Sequence, residues 1–347
     1  MAESKRVVKI AGLKIGGNNP VRVESMLKTS FEKDFSCIRK ELKSLEEAGC
    51  ELLRVAVPNK KSISIISKIK KSTTIPLMAD IHFSEEIALK AIEIGIDSIR
   101  INPGNMELSQ IKRIVRIAKS KKIPMRIGVN SASFKTPIGK GKNAATQLVN
   151  ILLGIVKEIE KEKFYDMLVA IKSSDVLTTI WANELLSKKL SYPIHIGITE
   201  AGLPPEAIIK SSIGLGALLA QGIGNTLRVS LTGESSKEVE VGYAILKALN
   251  LRQRGVEIIS CPTCGRCKID VEKIAEEIRK RTLKIKEPIT IAVMGCEVNG
   301  PGEAKEADIG IAGGLGCGVL FKKGKIIKKV SEERIVSALM IELKRVI

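Results

Sequence analysis

From about residue 20 to residue 250 one hydrophobic pattern repeats along the chain. A short β-branched run ends in a polar residue. A longer stretch follows in which apolar residues recur at three- and four-residue spacing, as in an amphipathic helix. The runs are VRVES (21–25), ELLRVAVP (51–58), PLMADI (76–81), SIRIN (98–102), MRIGVN (125–130), MLVAIKSS (167–174), PIHIGITE (193–200) and TLRVSL (226–231). Between them lie helical stretches such as DFSCIRKELKSLEEAGC, SEEIALKAIEIG, ELSQIKRIVRIAKSKK and PPEAIIKSSIGLGALLAQG. Gly49, Gly95, Pro76, Pro124 and Pro193 punctuate the alternation, stopping helices or opening strands.

Strands alternating with helices predict βαβ units on a parallel sheet, an α/β fold. Eight such units over about 230 residues match a closed (β/α)8 TIM barrel in count and length. The competing fold is a doubly wound open sheet. Against it, no glycine fingerprint follows the first strand, and six strands are commoner there. Near residue 255 the pattern changes. A smaller unit follows: strand EIISC, helix VEKIAEEIRKRTL, strand TIAVMGC, a Gly-rich segment, hairpin VLFKKGKIIKKV and helix EERIVSALMIELKRV. The expected domains are therefore a barrel over 1–255 and a small α+β domain over 256–347.

Composition adds three constraints. Hydrophobic residues are 44% of the 347 but aromatics only 3%, so the core is aliphatic. No apolar run is long enough to span a bilayer, and MAESKRVVKI has no secretion-signal pattern, so a cytoplasmic, reducing setting is expected, with no membrane partner. The net charge of +19 suits an anionic small substrate. It is spread over helices with no basic block interleaved with aromatics, so nucleic acid is not expected as a partner.

In a barrel, the C-terminal ends of the strands form the active-site face. The polar residues there are Arg54, Asp80, His82, Arg100, Asn102, Arg126, Asn130, Lys172, Thr199, Glu200, Arg228 and Ser230. Five cations around one mouth suit a ligand with two phosphates, because Arg forks bind phosphate oxygens bidentately and Lys adds a point charge. The alternative is a set of structural ion pairs along the rim. Of the two histidines, position favours His82 as functional, and His195 is expected to point into the barrel and pack. Glu200, just past a strand, reads either as an acid–base group or as a counter-ion for Lys172 or Arg228.

Seven cysteines remain to be placed. Cys37 and Cys50 lie in and at the end of a helical stretch and read as small buried hydrophobes. The other five fall in the small domain, three of them in CPTCGRC (261–267). A reducing compartment disfavours a disulfide. A zinc site and an iron–sulfur cluster both remain open, each drawing on Cys261, Cys264, Cys267 and Cys296.

CPTCGR, VMGCEVNGPGEA and IGIAGG, taken in order with RVAVP, ADIHF, RINPGN, RIGVN, TEAG and GLGALLAQGIGNTLRVSLTG, resemble the hydroxymethylbutenyl diphosphate synthase family of the non-mevalonate isoprenoid pathway. The likeness runs through nearly the whole chain, in its compact bacterial form with a barrel and a cluster domain. It implies an oxidoreductase that opens the cyclic diphosphate of methylerythritol, with electrons from flavodoxin or ferredoxin. It also implies a [4Fe-4S] cluster on Cys261, Cys264, Cys296 and Glu303. A carboxylate ligand is harder and more labile than a thiolate, so it can open one iron to substrate oxygen. Arg54, Arg100, Arg126, Asn130, Lys172, Arg228 and Ser230 then bind substrate, Glu200 is the proton donor, and Asp80, His82, Asn102 and Thr199 line the mouth. Cys267 departs from the family pattern and, like Cys317, is read as a spare thiol. The family also implies a head-to-tail homodimer in which one chain's cluster domain caps the other's barrel. The reading from a different class is a non-catalytic phosphate-binding barrel with a zinc-stabilised basic module for nucleic acid.

Overall fold

The computed structural model describes residues 6–133, 138–296 and 305–347. The chain divides into two compact units between Arg252 and Gln253.

The first unit opens with a hairpin, β1 (Val7–Ile10) and β2 (Leu13–Gly16). Its turn, Ala11-Gly12, holds both residues at positive φ, 44° and 91°, as a two-residue hairpin turn of the I′ type requires. Val8, Ile10 and Ile15 pack with Leu52, Met78 and Leu168, residues near the N-terminal ends of three barrel strands. The hairpin therefore plugs the face of the barrel opposite the candidate mouth. No strand was expected before residue 20, because the hairpin's four-residue strands are too short for periodicity to register.

Eight parallel strands follow: β3 (Arg22–Met26), β4 (Leu52–Ala56), β5 (Leu77–Ile81), β6 (Ser98–Ile101), β7 (Met125–Asn130), β8 (Met167–Lys172), β9 (His195–Ile196) and β10 (Thr226–Leu227). They match the eight expected runs one for one. The sheet order is β8-β7-β6-β5-β4-β3-β10-β9. A bridge between Val169 and Ile194 joins its two ends and closes the barrel.

The connecting helices are α1 (Phe35–Ala48), α2 (Lys61–Lys70), α3 (Glu85–Glu93), α4 (Leu108–Ser120), α5 (Lys142–Lys161), α6 (Val176–Lys189), α7 (Glu206–Leu219) and α8 (Ser235–Ala248). Local chemistry fixes their ends. Asp34 caps α1 by accepting from the Ser36 amide at 2.7 Å, and Gly49 ends it at φ 90°. Ser84 and Asp175 cap α3 and α6 in the same way. The aliphatic core between strands and helices contains buried Cys50, whose thiol burial pushes up to about 12. Cys37 corrects its expectation: it lies on the exposed side of α1. Among the described residues, no helix is long and apolar enough to cross a membrane.

The second unit is a five-stranded sheet in sequence order: β11 (Val256–Ser260), β12 (Ile289–Met294), β13 (Ile309–Gly314), β14 (Cys317–Lys322) and β15 (Lys325–Ser331). The first three strands are parallel and the last two antiparallel. Helices α9 (Val271–Thr282) and α10 (Ile335–Leu343) contribute to its aliphatic core. The Gly-rich IGIAGG, which carries no strand signal by composition, is the fully buried strand β13. A side chain at Gly310 would overlap the Phe321 ring, and one at Gly313 would meet the Gly295 carbonyl oxygen at 2.6 Å. The glycines make room for an aromatic ring and a neighbouring backbone.

Candidate active site

Parallel register places the polar strand ends side by side. Asp80 on β5 stands opposite Arg100 on β6, Arg100 opposite Arg126 on β7, and Asn130 opposite Lys172 on β8. Arg100 Nη1 donates to Asp80 Oδ1 at 2.9 Å, and Arg54 Nε lies 3.4 Å from Oδ2. His82 Nε2 is 3.6 Å from the same oxygen, and Asn105 Nδ2 is 3.3 Å from His82 Nδ1. Burial works to raise the Asp80 carboxyl, but Arg54, His82 and Arg100 outweigh it and hold it well below the usual carboxylate range.

Deeper in the barrel lies a cluster that the sequence reading only partly found. Arg126, 1% exposed, forks both terminal nitrogens onto Glu24, which is 0% exposed. Burial raises the Glu24 carboxyl, and Arg126, then Arg54 and Lys172, more than reverse the shift. His195 does more than pack: its Nδ1 is 2.7 Å from Thr226 Oγ1 and 3.7 Å from Glu24, and its Nε2 is 2.8 Å from Lys172 Nζ. A third carboxylate-bearing element completes the mouth. Glu238 of α8 accepts from Arg228 Nε and Nη2, both at 3.1 Å, from Ser25 Oγ at 2.9 Å, and pairs with Lys28 at 2.9 Å.

This arrangement bears on both expectations for the rim. Arg54, Arg100, Arg126 and Arg228 each share a buried carboxylate, as structural ion pairs would. Yet six cations, Lys28 and Lys172 included, face three carboxylates, Glu24, Asp80 and Glu238, so positive charge remains for an anion. Glu200 is not the counter-ion of Arg228, a place Glu238 takes. It is exposed and held at φ 54°, a left-handed conformation uncommon for a residue with a side chain. Thr199 accepts from Asn130 Nδ2 at 3.5 Å, Asn102 accepts from the Gly104 amide at 3.1 Å, and Ser230 is half-buried. Glu24, Glu238, His195 and Thr226 were missed as a set. The available signal was a carboxylate inside a β-branched run, VRVES; Glu238, on a helix, gave none.

In the second unit the cysteines sit where two adjacent parallel strands end. Cys261 follows β11 directly, and Gly295-Cys296 follows β12. The Gly295 amide donates to Cys261 Sγ at 3.2 Å. A side chain at Gly295 would overlap Cys267 Sγ and stand 3.4 Å from Cys261 Sγ, so this glycine lets two sulfurs approach the strand end. Cys264 is exposed, one residue past Thr263 at φ 54°. Cys267 donates from Sγ to the Ile269 carbonyl at 3.0 Å, an internal use that fits a spare thiol. Glu303 lies outside the described residues. Among the described residues, no three Cys, His, Asp or Glu side chains converge as a metal site. The donors nevertheless suit iron and sulfide by type: they are soft thiols gathered on neighbouring loops.

A family profile described as the GcpE TIM-barrel domain matches residues 5–243, and one described as the GcpE protein C-terminal domain matches residues 257–345. The chain belongs to the GcpE family. Its similar relatives include proteins named 4-hydroxy-3-methylbut-2-en-1-yl diphosphate synthase (flavodoxin). The one from Caldanaerobacter subterraneus subsp. tengcongensis is 51% identical over 100% of this chain and 98% of its own. Those from Fusobacterium nucleatum and Geobacter sulfurreducens are 49% and 45% identical, each over 100% of this chain and 98% and 99% of their own. The alternative of a non-catalytic zinc and nucleic-acid module finds no support in these GcpE matches. Among solved structures, dihydropteroate synthase from Coxiella burnetii is similar with a TM-score of 0.53 at 14% identity, covering 70% of this chain and 97% of that one. A likeness at that identity concerns the barrel fold alone.

Proposed function

We propose that this GcpE chain carries out the reaction for which its relatives are named. It opens 2-C-methyl-D-erythritol 2,4-cyclodiphosphate to (E)-4-hydroxy-3-methylbut-2-enyl diphosphate in the non-mevalonate isoprenoid pathway. The ring C–O bond to phosphate breaks, a hydroxyl leaves as water, two electrons enter from reduced flavodoxin or ferredoxin, and two protons come from an acid side chain and solvent. The observation that carries this reading is identity of 45–51% with synthases along the entire chain.

The geometry supports the following parts for the barrel residues. Arg54, Arg100 and Arg228 are already aimed and partly neutralised by Asp80 and Glu238, so they are preorganised for phosphate oxygens. Arg126 and Lys172 act from the floor beside Glu24 and His195. Together they hold the diphosphate and stabilise the charge that appears on the departing phosphate oxygen. Asn102, Asn130, Thr199, Ser230, Asp80 and His82 line and orient the same mouth. Glu200, exposed and free of the buried ion pairs, gives its proton to the substrate-derived group. Cys261, Cys264, Cys296 and Glu303 would hold a [4Fe-4S] cluster, and Cys267 and Cys317 would not. When bound, that cluster supplies the relay for the two electrons and an iron of Lewis-acid character. We take the domains as 1–255 and 256–347, within a few residues of the division between Arg252 and Gln253, and the working form as a cytoplasmic homodimer in which one copy's cluster domain meets its partner's barrel.

The test is turnover of the cyclic diphosphate by anaerobically purified protein with reduced flavodoxin. The expected product is the allylic diphosphate, formed by brown, iron- and sulfide-containing protein. Zinc in place of iron, or no product from iron-replete protein, overturns the reading.

A further inference from the structure

The buried segment His195-Ile196-Gly197 has no part in the reaction as described, yet both of its polar and small positions bear on one atom, Lys172 Nζ. His195 Nε2 lies 2.8 Å from it. A side chain at Gly197 would stand 2.8 Å from the same atom and 2.9 Å from the Arg228 carbonyl oxygen, so only glycine leaves the amine its place.

With Lys172 charged, the direction of the hydrogen bond follows from valence. A lysine ammonium has three donors and no acceptor, so a 2.8 Å contact with an imidazole nitrogen requires that nitrogen to be bare. The ring proton must then sit on Nδ1. There it faces Thr226 Oγ1 at 2.7 Å and the Glu24 carboxylate at 3.7 Å. A carboxylate beside Nδ1 favours the tautomer with its proton there. Glu24 and Thr226 thus fix the ring, and the bare Nε2 fixes the lysine.

We propose that His195 is a positioning residue for anion binding: held as its Nδ1–H tautomer by Glu24 and Thr226, it keeps Lys172 as an ammonium, seated in the gap at Gly197 and available to a diphosphate. The inference rests on the reading of the mouth as a diphosphate site. The charged groups around Lys172 are Glu24 from β3, Arg54 from β4, Arg126 from β7 and Arg228 just after β10. Burial and then Arg54 and Arg126 push the Lys172 ammonium well below the ordinary lysine value, with Glu24 opposing them. Burial, then Arg126, Lys172 and Arg54, push His195 well below the usual histidine value, so the ring is neutral and can accept. A hydrogen bond to the charged form of Lys172 is what counters the shift, because it favours that form.

The test is binding of inorganic pyrophosphate by titration calorimetry as a function of pH. His195→Leu removes the acceptor and is expected to weaken binding about tenfold, the worth of one charge-assisted hydrogen bond. It also moves the alkaline limit of binding to lower pH, because Lys172 then loses its proton sooner. His195→Gln, whose amide oxygen can accept, is expected to recover most of both. In a Lys172→Ala background, His195→Leu should add nothing further. An equal loss in that background means that His195 acts structurally, and the proposal fails. Where the Leu variant does not fold, 15N spectra of histidine-labelled wild-type protein decide. There are only two ring systems to observe; a proton on Nδ1 of His195 supports the proposal, and one on Nε2 overturns it. Failure of wild-type protein to bind pyrophosphate removes the diphosphate reading and this inference together. Wild-type binding with an unaltered His195→Leu profile removes the inference alone.

Discussion

The barrel mouth and the cysteine loops are both built at the C-terminal ends of parallel strands, but they arrive in different states of assembly. In the barrel, Arg126 already forks onto Glu24 and Arg228 onto Glu238, and Arg100 donates to Asp80. The arginines lie on or next to closed-barrel strands, and each has a buried carboxylate partner that fixes its rotamer. In the second unit, Cys261 and Cys267 flank Gly295 while Cys264 is exposed. The contrast follows from the chemistry of the ligands. Buried charges must be paired for the chain to fold at all. Neutral thiols carry no such penalty, so nothing obliges them to converge before a metal replaces their protons.

The sharpest way to break this comparison is to remove thiols. Cys261→Ser, Cys264→Ser and Cys296→Ser are each expected to abolish turnover and most of the bound iron while leaving the barrel's pyrophosphate affinity intact. Cys267→Ser should leave iron and turnover nearly unchanged. Iron and sulfide analysis beside a turnover assay checks this, and loss of the cluster in Cys267→Ser would favour the all-thiolate set. Next in size is Glu200→Gln, which keeps the shape and removes the acid. Turnover is expected to fall by about 10²–10⁴-fold with pyrophosphate affinity unchanged. A wild-type rate would pass the proton to another donor, with His82 the first to examine.

The difference between the regions also governs what the sequence could show. The eight barrel strands were legible because each is a β-branched run that ends in a polar residue. The mouth was legible because parallel strands bring those ends to one face. Two of its three carboxylates, Glu24 and Glu238, were not. Glu238 lies on helix α8 and reaches the mouth only through tertiary packing. Glu24 reads as the polar residue of an alternating strand, and nothing local announces that Arg126, 102 residues away, will fork onto it. In the second unit, IGIAGG was legible as a motif but not as strand β13. Composition argues against glycine in strands, whereas Phe321 and the Gly295 carbonyl require it there.

Two substitutions sharpen the comparison inside the barrel by separating folding from binding. Arg126→Ala strands the Glu24 carboxylate in a dry site, and breaking such a pair costs about 3–5 kcal/mol of stability. Arg54→Ala leaves Asp80 with Arg100, so its main effect falls on the ligand: pyrophosphate affinity weakened by about one to two decades, for the roughly 1.5–3 kcal/mol of a charge-assisted contact. Denaturant unfolding and calorimetry distinguish the two. Equal stability of both variants would mean that the Glu24 pair is not essential to the fold.

The smallest effect is the pH dependence of the barrel's stability, and its sign is fixed. Glu24, Asp80 and Glu238 are held below the ordinary carboxylate value, so their contribution is present above pH ~4 and lost as pH falls through the acid range. His195 is also lowered, and for a base that means the unfolded chain takes up the proton first. Stability therefore begins to fall as pH drops below about 6.5, before any carboxylate titrates, with a slope of at most about 1.4 kcal/mol per pH unit for one group. Melting temperatures between pH 5 and 7 should decline in the wild-type protein and flatten in His195→Gln, which has no proton to gain. An undiminished slope in that variant would show that another group supplies it, and that the ring of His195 is not the neutral acceptor that Lys172 Nζ requires.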